Sequence, residues 1–169
     1  MISFRCLTPK DADEFRKLRL ESLQVAPEAF SNSYKNEMNY PMSTFESLLL
    51  HTPDHITVGA FSEDQLIASC SFSRMLGPYV RHKGKLMGLY CQPAYQGKSI
   101  SYQLLKILLN EIQQLDHLFI CQLSVVSTNT AAIHLYEKLG FKRYGYETNS
   151  LYDGKQFRDE YLYQLLFNK

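Results

Sequence analysis

The chain has 169 residues, 45% hydrophobic and 21% charged. This length and balance suit one folded domain and exclude a wholly disordered chain. Eighteen Lys and Arg nearly cancel seventeen Asp and Glu, for a formal charge of +1, so no basic excess draws the chain to nucleic acid.

Ser3 to Cys6 reads as a first strand. Thr8-Pro9-Lys10-Asp11 then marks a helix start, with Thr8 as cap, Pro9 at the first helical position and Asp11 at the positive end. Ala12, Phe15, Leu18 and Leu23 keep helical spacing to about Val25, and Pro27 closes the segment. Residues 28 to 42 form a loop or a short helix. Ser43 is expected to cap a second helix through Leu50. Ile56 to Phe61 and Leu66 to Ser73 are strands around the turn Ser62-Glu63-Asp64-Gln65. Residues 75 to 84 carry Gly77-Pro78 and Gly84, and read as a loop. Leu86 to Cys91 is a strand stopped by Pro93. Leu104, Leu105, Leu108 and Ile112 stripe a helix over Ile100 to Leu115. Leu118 to Val126 is a buried strand, and Asn129 to Leu139 a helix ended by Gly140. Arg143 to Glu147 and Phe157 to Phe167 are strands around Asp153-Gly154.

The expected fold class is therefore α/β: one layered domain over residues 1–169, with a mixed, mostly antiparallel sheet of about seven strands and helices on both faces. The strands before and after the long helix form its central parallel pair, joined by a right-handed crossover. No stretch approaches the ~20 apolar residues that span a bilayer, and the N-terminus has no apolar signal core, so no membrane role is expected. Cys6, Cys70, Cys91 and Cys121 form no Cys-x-x-Cys pair and have no His at zinc-finger spacing. The expectation is no metal site, and free thiols in a reducing, cytoplasmic setting.

The segment Cys91-Gln92-Pro93-Ala94-Tyr95-Gln96-Gly97-Lys98-Ser99-Ile100-Ser101 joins a strand to the long helix. A helix start presents unpaired N–H groups and positive dipole charge, which suit a phosphate, although a plain strand-to-helix connection reads equally well. Gly97-Lys98-Ser99 mimics the end of a nucleotide P-loop. That motif needs Gly five positions earlier, where Gln92 stands, and a strand ending in Asp, which Leu118 to Val126 lacks.

Gly88 to Ser101 resembles the acetyl-CoA segment of the GNAT superfamily of N-acetyltransferases, with its strand, Pro and Gln/Arg-x-x-Gly-x-Gly/Ala loop. Asn129-Thr130-Ala131-Ala132-Ile133-His134-Leu135-Tyr136-Glu137-Lys138-Leu139-Gly140-Phe141 resembles the second hallmark of that family. Arg5 to Ala12 and Asp159-Glu160-Tyr161 also fit, so the resemblance runs nearly end to end. It implies acetyl-CoA as co-substrate and direct acetyl transfer to a primary amine of a small molecule or a peptide. The cofactor-binding residues it implies are Leu89, Tyr90, Cys91, Gln96, Gly97, Lys98, Ser99, Ile100, Ser101, Tyr102 and Asn129. A backbone N–H of Leu89 to Cys91, at Tyr90 or Cys91, would polarise the thioester carbonyl. Tyr136 would be the catalytic acid, since a phenol with pKa near ~10 can protonate a departing thiolate.

The chain departs from the pattern at Ser99 and Ser101, where the family has small residues, and at Ser124, where some members carry a Glu base. Glu37, or a water chain to an acidic side chain, is the substitute considered. A Cys91 acyl carrier would need a paired base that local spacing does not supply. His134 and Glu137-Lys138 read as solvated helix face. Residues 26 to 42, the loop 75 to 84 and the turn near Tyr152 are expected to frame the substrate, with Phe30, Tyr34, Tyr40, Tyr79 and Tyr152 as aromatic walls. Arg81, His82 and Lys83 read as a solvated charged loop. The alternative from another class is a catalytically weak CoA-binding sensor or partner-binding module on the same fold. A homodimer is compatible with either.

Overall fold

Alternation of Ile2, Phe4 and Cys6 with exposed Ser3 and Arg5 gives β1 (Ile2–Cys6) one apolar face. The computed structural model describes residues 1–169. A 3₁₀ turn at Pro9–Asp11 follows β1 and leads into α1 (Ala12–Val25). The Asp11 carboxylate accepts the Thr8 N–H at 2.9 Å and is held by two Arg5 donors at 2.7 and 2.9 Å. Helix α2 (Tyr34–Glu37) is a single turn, and α3 (Met42–Leu48) follows. The expected Ser43 cap is displaced. Pro41 precedes the helix, because its fixed φ of −66° suits the position before the first turn, and Ser43 lies inside. Leu48 is exposed, whereas Phe45 and Leu49 are buried.

Strands β2 (His55–Ser62) and β3 (Gln65–Arg74) form the expected hairpin, with Ser62 opposite Gln65. Strand β4 (Lys83–Cys91) begins three residues earlier than the sequence suggests. Gly84 belongs to it rather than to the loop. A Cβ there would lie 2.4 Å from the Phe72 ring and 2.7 Å from the Ser73 carbonyl, so this glycine serves close packing and not a turn. Helix α4 (Ile100–Ile112), β5 (Ile120–Val126), α5 (Thr130–Lys138), β6 (Lys142–Tyr152) and β7 (Phe157–Leu166) complete the order. Helix α4 ends at Ile112 and β5 starts at Ile120, both short of the expected bounds. Leu118 is nonetheless fully buried from the connecting turn.

The seven strands run in the order β1-β2-β3-β4-β5-β7-β6. Every neighbouring pair is antiparallel except β4 and β5. Leu104, Leu105, Leu108 and Ile112 of α4 press on one face, against Val58, Ile67 and Phe72. Phe15, Leu18, Phe45 and Leu49 cover the other face with Leu7, Leu66 and Tyr90. This is the layered α/β arrangement expected, with a helical layer on each side of the sheet. No helix is long and apolar enough to cross a membrane, and all four cysteines are free.

Candidate active site

The parallel pair holds together at one end only. Lys83, Gly84 and Lys85 are registered with Ile120, Cys121 and Gln122. Beyond them, Leu86–Cys91 have no registered partner on β5. On the β3 side the ladder is interrupted between Ser69 and Ser71, opposite Gly88 and Leu89. Gly88 adopts φ +69°, a left-handed value that glycine reaches at little cost, and so builds the bulge. Its neighbour Tyr90 donates its phenol to Glu21 Oε1 at 2.8 Å, tying the bulge to α1. Burial and Glu21 raise the Tyr90 pKa. Burial also raises the Cys91 thiol, whose Sγ–H points to the Gln92 carbonyl. A thiol so placed is a poor nucleophile at neutral pH, which removes support for an acyl-cysteine.

From β4 the chain turns sharply into α4. The Gln92 N–H bonds the Ile67 carbonyl at 2.9 Å, a 3₁₀ turn covers Pro93–Tyr95, and Gln96 Nε2 donates to the Cys91 carbonyl at 3.0 Å. Gly97 follows with φ +74° and nothing within 4 Å of where a Cβ would be. Ser99, just before α4, is also left-handed, at φ +60°. Its side chain caps no N–H. The first i→i−4 bond of α4 runs from the Gln103 N–H to the Ser99 carbonyl, so the N–H groups of Ile100, Ser101 and Tyr102 remain for an anion.

These features share one cavity of about 760 Å³. Leu89, Tyr90, Cys91, Gln96, Gly97, Ser99, Ile100, Ser101, Tyr102 and Asn129 all line it. Lys98 does not: its ammonium lies 5.4 Å from the centre of the Tyr95 ring. Lys138, which reads as solvated face in sequence, is on the cavity wall and stacks 4.7 Å over the Tyr102 ring. Only its proximity to Tyr102 across two helices reveals it, and no local pattern encodes that.

Asn129 caps α5, its side-chain oxygen accepting the Ala132 N–H at 3.3 Å. The capped helix carries Tyr136, which is buried edge-on against Phe141, 6.0 Å between ring centres. Tyr136 is not on the cavity wall. Burial, then the neighbouring Cys70, raise its pKa. Burial pushes the Cys70 thiol up to about 12, so both groups keep their protons at neutral pH. The only fully enclosed side-chain nitrogen or oxygen without a hydrogen-bond partner is Arg74 Nε. The Tyr136 hydroxyl, which bonds no protein group, therefore retains contact with open space.

A second cavity, about 700 Å³, opens on the opposite face of the sheet and shares Ala29, Phe30 and Tyr90 with the first. Two carboxylates reach it. Glu37, 5% exposed, is clamped by Arg19 through bonds of 2.8 and 2.9 Å and accepts a third from Asn32 at 3.0 Å. Glu160 of β7 is the other, and Ser124 stands on the same wall. Of the five aromatic residues expected here, only Phe30 and Tyr40 line the cavity. Tyr79 is 92% exposed, because the β3–β4 connection lies at the end of the sheet where β4 and β5 stay paired. There Arg81 pairs with Asp54 at 2.7 Å, and the His82 carbonyl receives the Phe119 and Ile120 N–H groups. The loop 75–84 thus frames no part of this cleft. Tyr152 is turned away as well, stacked on Phe157 with ring centres 4.5 Å apart.

An anion seat at a helix start, a slot between parting parallel strands and a second cavity behind the slot can together hold a long phosphate-bearing ligand with its far end against a second molecule. Comparisons with known proteins agree. The sequence model of the Acetyltransferase (GNAT) family matches residues 15–141. A search of the curated proteins found no match. Among solved structures, a GNAT-family acetyltransferase from Streptococcus pneumoniae is 26% identical, with a TM-score of 0.89 over 99% of this chain and 100% of that one. The yncA protein of Salmonella typhimurium, solved with acetyl-CoA, is 18% identical, with a TM-score of 0.83 over 100% and 95% of the two chains. The ribosomal-protein-S18-alanine N-acetyltransferase of Escherichia coli is 19% identical, with a TM-score of 0.75 over 100% and 96%. With a family match over most of its length and a strand slot leading from a helix start, the chain belongs to the GNAT family of acetyltransferases, whose acyl donor is acetyl-CoA.

Proposed function

We propose that the protein transfers acetyl from acetyl-CoA to a primary amine, with the whole chain, residues 1–169, acting as one domain. The observation that carries this reading is the pair of cavities meeting at Tyr90 beside the parted strands. One has an anion seat, and the other has a carboxylate without a cation partner, suited to an ammonium group. Ile100, Ser101 and Tyr102 N–H groups, with Gln96, Gly97 and Ser99, would hold the diphosphate, and Lys138 would add charge. Lys98 would contribute only from outside the wall. Leu89, Tyr90 and Cys91 would border the pantetheine arm together with Asn129. Bound acetyl-CoA supplies an acyl group activated as a thioester. A backbone N–H at Tyr90 or Cys91 would polarise its carbonyl, and Tyr136 would donate a proton to the departing sulfur.

Acetyl-CoA titration by calorimetry, followed by thiol release across a panel of primary amines, tests this. The expected result is binding together with amine-dependent thiol release. Binding without release on any amine would favour a CoA-binding sensor or partner-binding module.

Ser99 offers a second test. A non-glycine residue in the left-handed region costs roughly 1 kcal/mol, which glycine recovers. Ser99→Gly should raise the melting temperature by about 2–4 °C. It should also tighten acetyl-CoA by about fivefold, since the hydroxymethyl group no longer crowds the N–H cradle. Free thiols throughout support a reducing, cytoplasmic setting. For a homodimer, the sheet edge β6, with exposed Tyr144 and Tyr146, is the surface that supports pairing.

A further inference from the structure

An ammonium nitrogen at neutral pH cannot attack a thioester until it loses a proton, and Ser124 cannot take one. The second cavity offers three groups that could. His55 bonds Ser73 Oγ through Nδ1 at 2.7 Å, and its Nε2 lies 3.4 Å from Thr57 Oγ1. It also stands at the paired end of the sheet: His55 is opposite Ser73, and Ser73 opposite Lys85. Glu37 is saturated by Arg19 and Asn32.

Glu160 differs in both respects. No cation pairs with it: the ion pairs of this region are Arg158 with Asp153, at 3.0 Å, and Arg19 with Glu37. Its one side-chain bond is from the Ser150 hydroxyl, which lies 3.0 Å from Glu147 as well. Glu147 is directly opposite Glu160 across the β6–β7 ladder, and Asp159 is taken up by Tyr146 and the Asn149 N–H. Lys85 and Arg19 are the cations on the other walls of the cavity. The register fixes the level of Glu160. It is opposite Val126 on β5. Lys85 aligns with Gln122, and continuing that parallel register brings Val126 level with Leu89, at the bulge. Glu160 therefore reaches the cavity at the height of the strand slot.

We infer that Glu160 is the catalytic base of the acetyl transfer, binding the substrate ammonium and taking its proton. This rests on the amine reading above. An ammonium has two protons more than the amide nitrogen it becomes. One passes to a Glu160 carboxylate oxygen, leaving the electron pair that attacks the carbonyl, and Glu160 then releases it to solvent. The second leaves the nitrogen as the C–N bond forms and the C–S bond breaks. It balances the proton that Tyr136 gives to sulfur and regains. The Ser150 hydroxyl, shared with the Glu147 carboxylate opposite, orients Glu160.

The test compares Glu160→Gln with the unmodified protein at pH 7 on two kinds of primary amine. One is a side-chain amine of pKa about 10.4, the other a peptide α-amine of about 8. The isosteric amide should lower kcat/KM about 100-fold for the first and less than about tenfold for the second, which needs less help to lose its proton. Acetyl-CoA affinity, measured by calorimetry, should stay within about twofold, reporting an intact fold. Glu160→Asp, which keeps a carboxylate, should recover at least about a tenth of the original activity on the basic amine. Losses of equal size on both amines, or no loss, overturn the role of Glu160 alone. An unmodified protein that releases no thiol with either amine overturns this role and the amine reading together.

Discussion

Tyr136→Phe is expected to lower turnover by about 100-fold while leaving acetyl-CoA affinity within about twofold, the scale of a single positioned proton donor. The substitution removes one oxygen and keeps the ring. The ring packs edge-on with Phe141 in the cluster formed by α4, α5 and the sheet, so stability should hardly change. Single-turnover thiol release at saturating acetyl-CoA and amine checks this. Turnover equal to that of the unmodified protein would assign Tyr136 to packing alone. The environment also fixes a pH signature. Burial and Cys70 raise the phenol pKa, so the donor form persists above the ordinary value of about 10. Activity should therefore show no loss attributable to Tyr136 between pH 8 and 10. A decline centred near pH 9 would point to a different acid.

Arg19→Met should be the most destabilising of the changes considered. Glu37 is almost fully buried, and Arg19 satisfies both of its oxygens with bonds of 2.8 and 2.9 Å. Removing the guanidinium leaves a buried carboxylate with Asn32 alone, which costs about 3 kcal/mol. For a chain of this size the melting temperature should fall by about 6–12 °C. Arg19→Met with Glu37→Met should recover most of that loss, since an apolar pair of similar volume needs no counter-ion. Urea denaturation of the single and double variants measures the difference. If the double variant is no more stable than the single, the uncompensated charge is not the cause. Because both residues line the second cavity, the double variant should also raise the KM for the amine.

The two halves of the site were unequally legible in sequence. Residues 91 to 101 and 129 to 141 are continuous stretches whose spacing is dictated by local chemistry. A proline stops a strand, left-handed residues make a tight turn, an Asn caps a helix and a Gly ends it. Such constraints act between near neighbours, so the order of residues expresses them directly. The acceptor side is assembled from α1, α2, α3, β2, β3, β4, β5, β6 and β7, and no short pattern records that. Glu160 illustrates the difference. Its neighbours Asp159 and Tyr161 mark the closing strand, but what matters is that Val126 stands opposite it, thirty-four positions earlier. Tyr79 fails in the other direction. An aromatic residue beside Gly77-Pro78 looks like a loop poised over a cleft, and only the register of β4 with β5 shows that it hangs from the far rim. Gly84 reads as a turn residue because turns and close packing both call for glycine, and the Phe72 ring above it is twelve residues away in the chain.

That ring has a wider effect. Residues 83 to 85 act as the fulcrum of a clothes-peg: the two central strands are pinched there and spread towards Cys91 and Val126. Gly84 sits in that pinch without a side chain, where any added carbon would collide with Phe72 and the Ser73 carbonyl, so β4 lies close against β3 at the joined end. The joined end is thus packed around an atom that is missing and that never meets either reactant.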